Sequence, residues 1–197
     1  MPRPKQRTAE LRDRIIDAAM TILANDGVTG FTTRKVASGA GTSTPAVYEL
    51  FGDKSGLLRE VLFRGFELLG ARLRALTESD DPRADLVAVV QAFRRFVRAN
   101  PVVAQLMFSQ TFADFDPGPD EQRAGAAVRE FVVARARRCT DAGVIAGDPV
   151  DIAHVVVALA QGLAAQEAGG WLGASKASVD RRWALGIGAL LDGLRRA

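Results

Sequence analysis

Ser43, Thr44, Tyr48 and Lys54 stand close together in the chain and offer three hydroxyls and one ammonium. Such groups donate hydrogen bonds to phosphate oxygens. The chain has one histidine, His154, and one cysteine, Cys139, so neither a nucleophile–base pairing nor a zinc site of Cys and His ligands is readily assembled. There is no phosphate loop, no Rossmann glycine pattern and no HExxH, and therefore no cofactor and no metal is expected. A helical hydrolase has little to rest on here, and a surface for an anionic partner has more.

Composition narrows the class further. Of 197 residues, 48% are hydrophobic and 25% charged, and the formal net charge is +3. That describes a soluble globular chain, long enough for one large domain or two small ones. A lone cysteine excludes an intramolecular disulfide framework and fits a reducing cytosol. No apolar run approaches the length needed to cross a bilayer. The basic start, Met1 to Arg7, has no apolar segment behind it. A cytoplasmic protein with no membrane partner is expected. Arg3, Lys5, Arg7, Arg12 and Arg14 outnumber Glu10 and Asp13 at the start. This basic arm can touch phosphates or a minor groove; a solvated, frayed terminus would look the same.

The elements that must position these groups read almost wholly as helix. Leu11, Ile15, Ala18, Ala19, Ile22 and Leu23 follow the spacing of one helical face, and Asn25-Asp26-Gly27 stops it. Thr32 or Thr33 caps a short helix to Ala40, and Gly41 breaks it. Ser43 caps the next, with Pro45 in its first turn, where a missing N–H does no harm. Gly52-Asp53 ends that helix. Longer ones are expected at 54–77, from Pro82 to Asn100, from Pro101 to Thr111, from Glu121 to Ala142, from Pro149 to Ala168 and from Ser178 to Arg195. Residues 113–119 read as a loop. The fold class is all-α, with about nine helices.

Two short helices around a tight turn at Gly41 meet the physical requirement of a helix-turn-helix over Thr32–Phe51. Val36, Ala37 and Ala40 on the first can meet Val47 on the second, and the small alanines let the axes cross closely. The exposed start of the second helix is short and uncharged. Its hydroxyls can bond bases or phosphates, and the Ala46 methyl can meet a thymine methyl. Tyr48 can reach a phosphate, and Lys54, at the start of the next helix, adds a cation beside free N–H groups.

Residues 1–60 resemble the DNA-binding domain of the TetR family of bacterial regulators. The resemblance runs without a gap through Ile15-Ile-x-Ala-Ala19, Gly27, Phe31-Thr-Thr-Arg-x-Val-Ala37, Ala40-Gly-x-Ser43, Val47-Tyr48, Phe51-x-x-Lys54 and Leu57-Leu58. It implies that Arg34, Ser43, Thr44, Ala46, Tyr48 and Lys54 face DNA. Thr33 and Pro45 complete the candidate set, although Thr33 and Ser43 also suit helix caps and Pro45 suits a first turn. Thr42 and Leu50 depart from the family pattern, the first leaving a hydroxyl to satisfy and the second removing a possible phosphate contact.

The same resemblance implies a DNA-binding domain at 1–53 and a helical effector-binding and dimerisation domain at 54–197. It implies a homodimer that binds a palindromic operator in double-stranded DNA, with a small-molecule effector that releases a repressor. A DNA-binding protein without an effector remains an alternative. Phe93 to Phe108 resembles a subfamily whose later motif is Trp-His-Gly, but that position here reads Ala160-Gln161-Gly162. Phe93, Phe96, Met107, Phe108, Thr111, Phe131 and Gln161 could line a mainly apolar effector pocket, with Phe112, Phe115 and His154 nearby in the pattern. An aromatic stripe at helical spacing is equally a core. Ile152, Val155, Val156, Leu159 and Leu163, with Leu185, Ile187, Leu190, Leu191 and Leu194, could join two copies through the last two helices. Gly162, Gly186, Gly188 and Gly193 would allow close approach. Cys139 lies near a helix C-terminus, where a thiol pKa rises.

Overall fold

The computed structural model describes residues 4–108 and 118–195, and all its regular structure is helical. Nine helices follow one another among the described residues: α1 (Pro4–Gly30), α2 (Thr33–Gly39), α3 (Thr44–Phe51), α4 (Lys54–Arg74), α5 (Pro82–Ala99), α6 (Pro101–Phe108), α7 (Pro119–Asp141), α8 (Pro149–Ala168) and α9 (Lys176–Gly193). Most boundaries fall where caps and breakers put them. Gly27 interrupts α1 at φ 66, the left-handed conformation that glycine adopts without a Cβ penalty. Asp148 caps α8 by accepting from the Val150 and Asp151 amides.

Some boundaries differ from expectation. The helix expected over 54–77 ends at Arg74, because the chain turns off to bring Ser79 to Asp85. α7 begins at Pro119, inside the expected loop, since proline is harmless at a first helical position. α9 begins at Lys176, earlier than Ser178, because Ser175 and Ser178 cap it reciprocally. Thr111, Phe112, Phe115 and the loop start at 113 lie outside the described residues, as does Arg3 of the basic arm.

The chain folds into two compact units. The first holds α1 to α3, α4 as far as Phe66, and α6. Its core is built from Ile15, Ala19 and Leu23 of α1, Val36 of α2, Val47 and Phe51 of α3, and Leu57 and Val61 of α4. Each of the larger of these side chains contributes about 1.5–3 kcal/mol when fully buried. Val103 and Leu106 of α6 enter the same core. A Cβ at Gly65 would sit 2.7 Å from Met107 Sδ and 2.9 Å from Val103 Cγ1, so the glycine makes room for α6 on α4. Phe66 and Phe108 meet edge to face at 6.2 Å.

The second unit holds α4 from Glu67, α5, α8, α9 and α7 from Arg123. Trp183, Phe96, Leu69, Leu73 and Leu191 are among its fully buried side chains. Two polar networks tie its helices together. Arg94 of α5 grips Glu167 of α8 with two parallel bonds of 2.8 and 2.9 Å and reaches Asp180 of α9 at 2.8 Å. Trp183 donates to the same Glu167 at 2.7 Å, and these bonds, Arg94 first, hold that carboxyl below the usual range. Cys139 is buried and donates to the Pro82 carbonyl, and burial pushes its thiol pKa up.

Among the described residues α8 is the one helix long and apolar enough, by length and composition, to cross a membrane. It was not expected from sequence because Asp151, His154 and Glu167 interrupt the run. Ile152, Ala153, Val156, Ala160 and Ala164 are buried against the rest of the second unit, as in the core helix of a folded domain. The apolar faces of α8 and α9 divide. Ile152, Val156, Ile187 and Leu191 are spent inside the chain, whereas Val155 is 49% exposed and Leu185 71%.

The second network centres on Asp85. Its carboxylate accepts from the Ser79 amide at 3.0 and 3.1 Å, from the Ser79 hydroxyl at 2.7 Å and from the Arg138 guanidinium. The Ser79 bonds foremost, with help from Arg138, lower its pKa from 3.8 to about 2. Because the folded value is the lower one, this carboxylate stabilises the fold above the unfolded pKa and loses that effect as pH falls toward the folded one. Acid titration of unfolding free energy is therefore expected to fall less for Asp85→Asn than for the parent chain between about pH 4 and about pH 2. Equal falls would remove Asp85 from the acid response.

Candidate nucleic-acid interface

The turn between α2 and α3 sets the geometry of the site. Gly41 has φ 64, and the Thr42 amide bonds back to the Ala37 carbonyl at 2.9 Å, so the chain reverses in a few residues. Thr42, the first departure from the family pattern, is half-buried, so its hydroxyl is not sealed from water. Ser43 then caps α3: its side-chain oxygen accepts from the Ala46 amide at 3.3 Å. Val47 and Phe51 anchor α3 in the core, and Leu50, the second departure, packs partly against it.

With one face buried, the opposite face of α3 is left to solvent. Ser43, Pro45 and Tyr48 are exposed, Tyr48 by 47%, while Thr44 and Ala46 are half-buried. These five come together at the N-terminal end and outer side of one helix. Unbonded N–H groups and the positive end of the helix dipole face the same way. Arg34 is exposed on α2. Lys54 is exposed at the start of α4, where its ammonium lies 5.6 Å from the Phe31 ring centroid. Thr33 is placed differently: it is buried at 8% exposure, and Thr32 makes the cap by accepting from the Lys35 amide at 3.2 Å.

The arrangement is therefore a set of hydroxyl and cationic donors on a short, rigidly backed helix. It is suited to holding polyanion oxygens and to presenting small side chains to flat edges.

The residues expected to line a pocket do not all share a unit. Phe93, Phe96, Phe131 and Gln161 belong to the second, and Met107 and Phe108 to the first. Phe96 is fully buried beneath Arg72, whose guanidinium lies 5.8 Å from its ring. His154 is exposed, and its Nδ1 lies 3.0 Å from the Val150 carbonyl.

Sequence reasoning missed one residue of the first unit. Arg12 of α1 donates to the Leu50 carbonyl at 3.1 Å, lies 4.7 Å from the Phe51 ring centroid and pairs with Glu60 of α4. Nothing local announces this, since its partners lie 38 and 48 residues away. It also missed Arg94 and Glu167, a charge pair on helices read there only for their apolar faces.

Comparison with known proteins bears on both units. A family model described as "Bacterial regulatory proteins, tetR family" matches residues 15–61, and one described as "Tetracyclin repressor-like, C-terminal domain" matches residues 86–190. The HTH-type transcriptional regulator BetI of Burkholderia thailandensis is 41% identical over 93 residues, 45% of this chain and 47% of that protein. The chain thus spans about half the length of the curated relatives it matches. A solved structure from Rhodococcus sp. RHA1, described as a protein with unknown function, is 30% identical with a TM-score of 0.82, covering 94% of this chain and 96% of that one. A TetR variant from Acinetobacter baumannii AYE, solved in complex with minocycline, is 20% identical with a TM-score of 0.66, covering 93% and 97%.

The cap separates two roles on α3. Ser43→Ala is expected to lower unfolding free energy by about 1 kcal/mol in urea denaturation, and Thr44→Ala to change it by less than about 0.5 kcal/mol. An unchanged stability for Ser43→Ala would take the cap role from its hydroxyl.

Proposed function

We propose that this chain, which belongs to the TetR family of bacterial regulatory proteins, is a transcription regulator that binds operator DNA through α2 and α3. The observation that carries the reading is the solvent-facing N-terminal turn of α3, backed by a buried Val47 and Phe51. In this reading α3 enters a major groove. Thr44 and Ala46 meet base edges, Ser43 and Tyr48 bond the backbone, and Arg34 and Lys54 hold phosphates. Pro45 fixes the first turn, and Thr33, being buried, supports α2 from inside. Residues 1–53 form the reading head and residues 54–197 the effector-binding and dimerisation part. The working place is the cytoplasm, where the operator is, and the protein catalyses no reaction.

The effector is a small molecule of apolar character, held among aromatic side chains of the second part, with Gln161 as a polar contact. The minocycline complex of a similarly folded TetR variant supports a small-molecule effector. Binding acts as a population shift. The liganded dimer favours a spacing of its two heads that no longer matches successive major grooves, about 34 Å apart, and repression ends.

Dimerisation through α8 and α9 accounts for what the chain leaves open. Val155 and Leu185 are exposed, and a Cβ at Gly162, Gly188 or Gly193 would meet nothing within 4 Å among the described residues. Glycine inside a helix costs about 1 kcal/mol relative to alanine, so close approach by a second copy gives these positions a reason. Gly186 differs, since a Cβ there would touch Leu163 of the same chain at 3.4 Å.

Footprinting on DNA flanking the chain's own gene tests the reading. A palindromic protected segment is expected, lost on adding a metabolite that raises the melting temperature. Tyr48→Phe combined with Lys54→Ala should weaken binding on all sequences and lower the salt slope by about 1. No protected segment would overturn the DNA reading, and undiminished binding would take these two residues out of it. Gly162→Arg is expected to convert a dimer to monomers in sedimentation, because it puts a long cation on a face that is open within the chain. A species that stays dimeric would place the interface elsewhere.

A further inference from the structure

The eight residues of α3 are fixed in the first unit by two buried side chains, Val47 and Phe51, with Leu50 partly buried between them in the sequence. Val47 and Phe51 lie one turn apart on one face. Two anchors on a line resist lifting the helix but resist rolling about that line poorly. Rolling is the motion that would carry Thr44 and Ala46 off a base edge and Tyr48 off the DNA backbone. Leu50, packed partly against the core, resists that roll in part, and a directional hydrogen bond off the line would resist it further.

Arg12 supplies it. Leu50 is in the last turn of α3, where helix carbonyls have no partner within the helix and carry the negative end of the dipole. The Tyr48 carbonyl is taken by the Gly52 amide at 2.8 Å and that of Phe51 by the Asp53 amide at 2.9 Å. The Leu50 carbonyl takes Arg12 Nη1 from α1 at 3.1 Å. The same guanidinium lies over the Phe51 ring at 4.7 Å, and its Nη2 pairs with Glu60 of α4. One planar fork thus joins α1, α3 and α4 at the end of α3 remote from its exposed first turn. A lysine, a single point charge without a fork, cannot reproduce all three contacts.

We infer that Arg12 is a positioning residue for sequence reading, setting the roll of α3 through the Leu50 carbonyl, with Glu60 holding the guanidinium in place. The role rests on the DNA-binding reading above. It is distinct from a phosphate contact, because Arg12 is turned toward Glu60 and the helix carbonyl.

The test uses the full chain and a duplex that the parent chain enriches from a randomised pool. Affinity is measured for that duplex and for an unrelated duplex of equal length over a salt series, with Arg12→Lys and Glu60→Gln beside the parent. Both variants are expected to lose about 10-fold on the selected duplex and to stay within about twofold on the unrelated one. Glu60→Gln is the sharper case. Removing a negative charge should tighten binding to any DNA if only electrostatics acts, whereas the positioning role weakens binding to the selected duplex alone. Hydrogen exchange at the Leu50–Gly52 amides should quicken in both variants while α9 amides hold, which shows in the same samples that the fold persists. Full affinity in Arg12→Lys, or tighter binding by Glu60→Gln to both duplexes, overturns the role. A parent chain that enriches no duplex overturns the DNA reading itself, before any variant is compared.

Discussion

Val47 and Phe51 lie one turn apart on α3, and both are buried among Ile15, Val36 and Leu57. Everything the outer turn of α3 can offer depends on that burial. An eight-residue helix is too short to be stable by itself in water. It exists because the first unit removes its apolar face from solvent, and the same burial fixes which residues face outward. Small alanines on α2 allow the close crossing, and Gly41 supplies the left-handed turn that a branched residue would resist. The polar surface at Ser43, Tyr48 and Lys54 is thus the complement of a core.

α4 links this logic to the rest of the chain by composition. Leu57, Leu58, Val61 and Leu62 belong to the core of the first unit, and Leu69 and Leu73 are buried in the second. α6, coming much later in the sequence, returns Val103 and Leu106 to the first core. The division by packing therefore does not follow the order of the chain. The compact unit that carries α3 is completed by residues well beyond that stretch of sequence.

The second unit is held on a different principle. Arg94, Glu167 and Trp183 form a largely enclosed set of charge-assisted bonds, joined at its edge by Asp180, across three helices. Such a set stabilises little relative to an apolar core of the same volume, but removing Arg94 or Glu167 alone is costly because it strands the other charge. It fixes how α5, α8 and α9 meet. On the outside of α8 and α9, exposed valine and leucine stand beside glycines with open space above them among the described residues.

The sequence alone determined the helical class, the turn at Gly41, the caps at Ser43 and Asp148 and the buried role of Val36, Val47 and Phe51. Each follows from local rules: the helical period, the oxygen that bonds a free amide, and the glycine that tolerates positive φ. Gly27 and Gly52 were legible for the same reason. Tertiary structure alone decided that Thr33 is inside while Thr32 caps, that α6 joins the first core, that Phe108 packs on Phe66, and that α8's apolar residues split between an inner and an outer face. Arg12 is the clearest case. In the sequence it is one cation of a basic arm; in the fold it serves a helix end and a carboxylate far along the chain. A local pattern carries information only about neighbours within a turn or two, and these outcomes depend on which surfaces meet once the chain has collapsed.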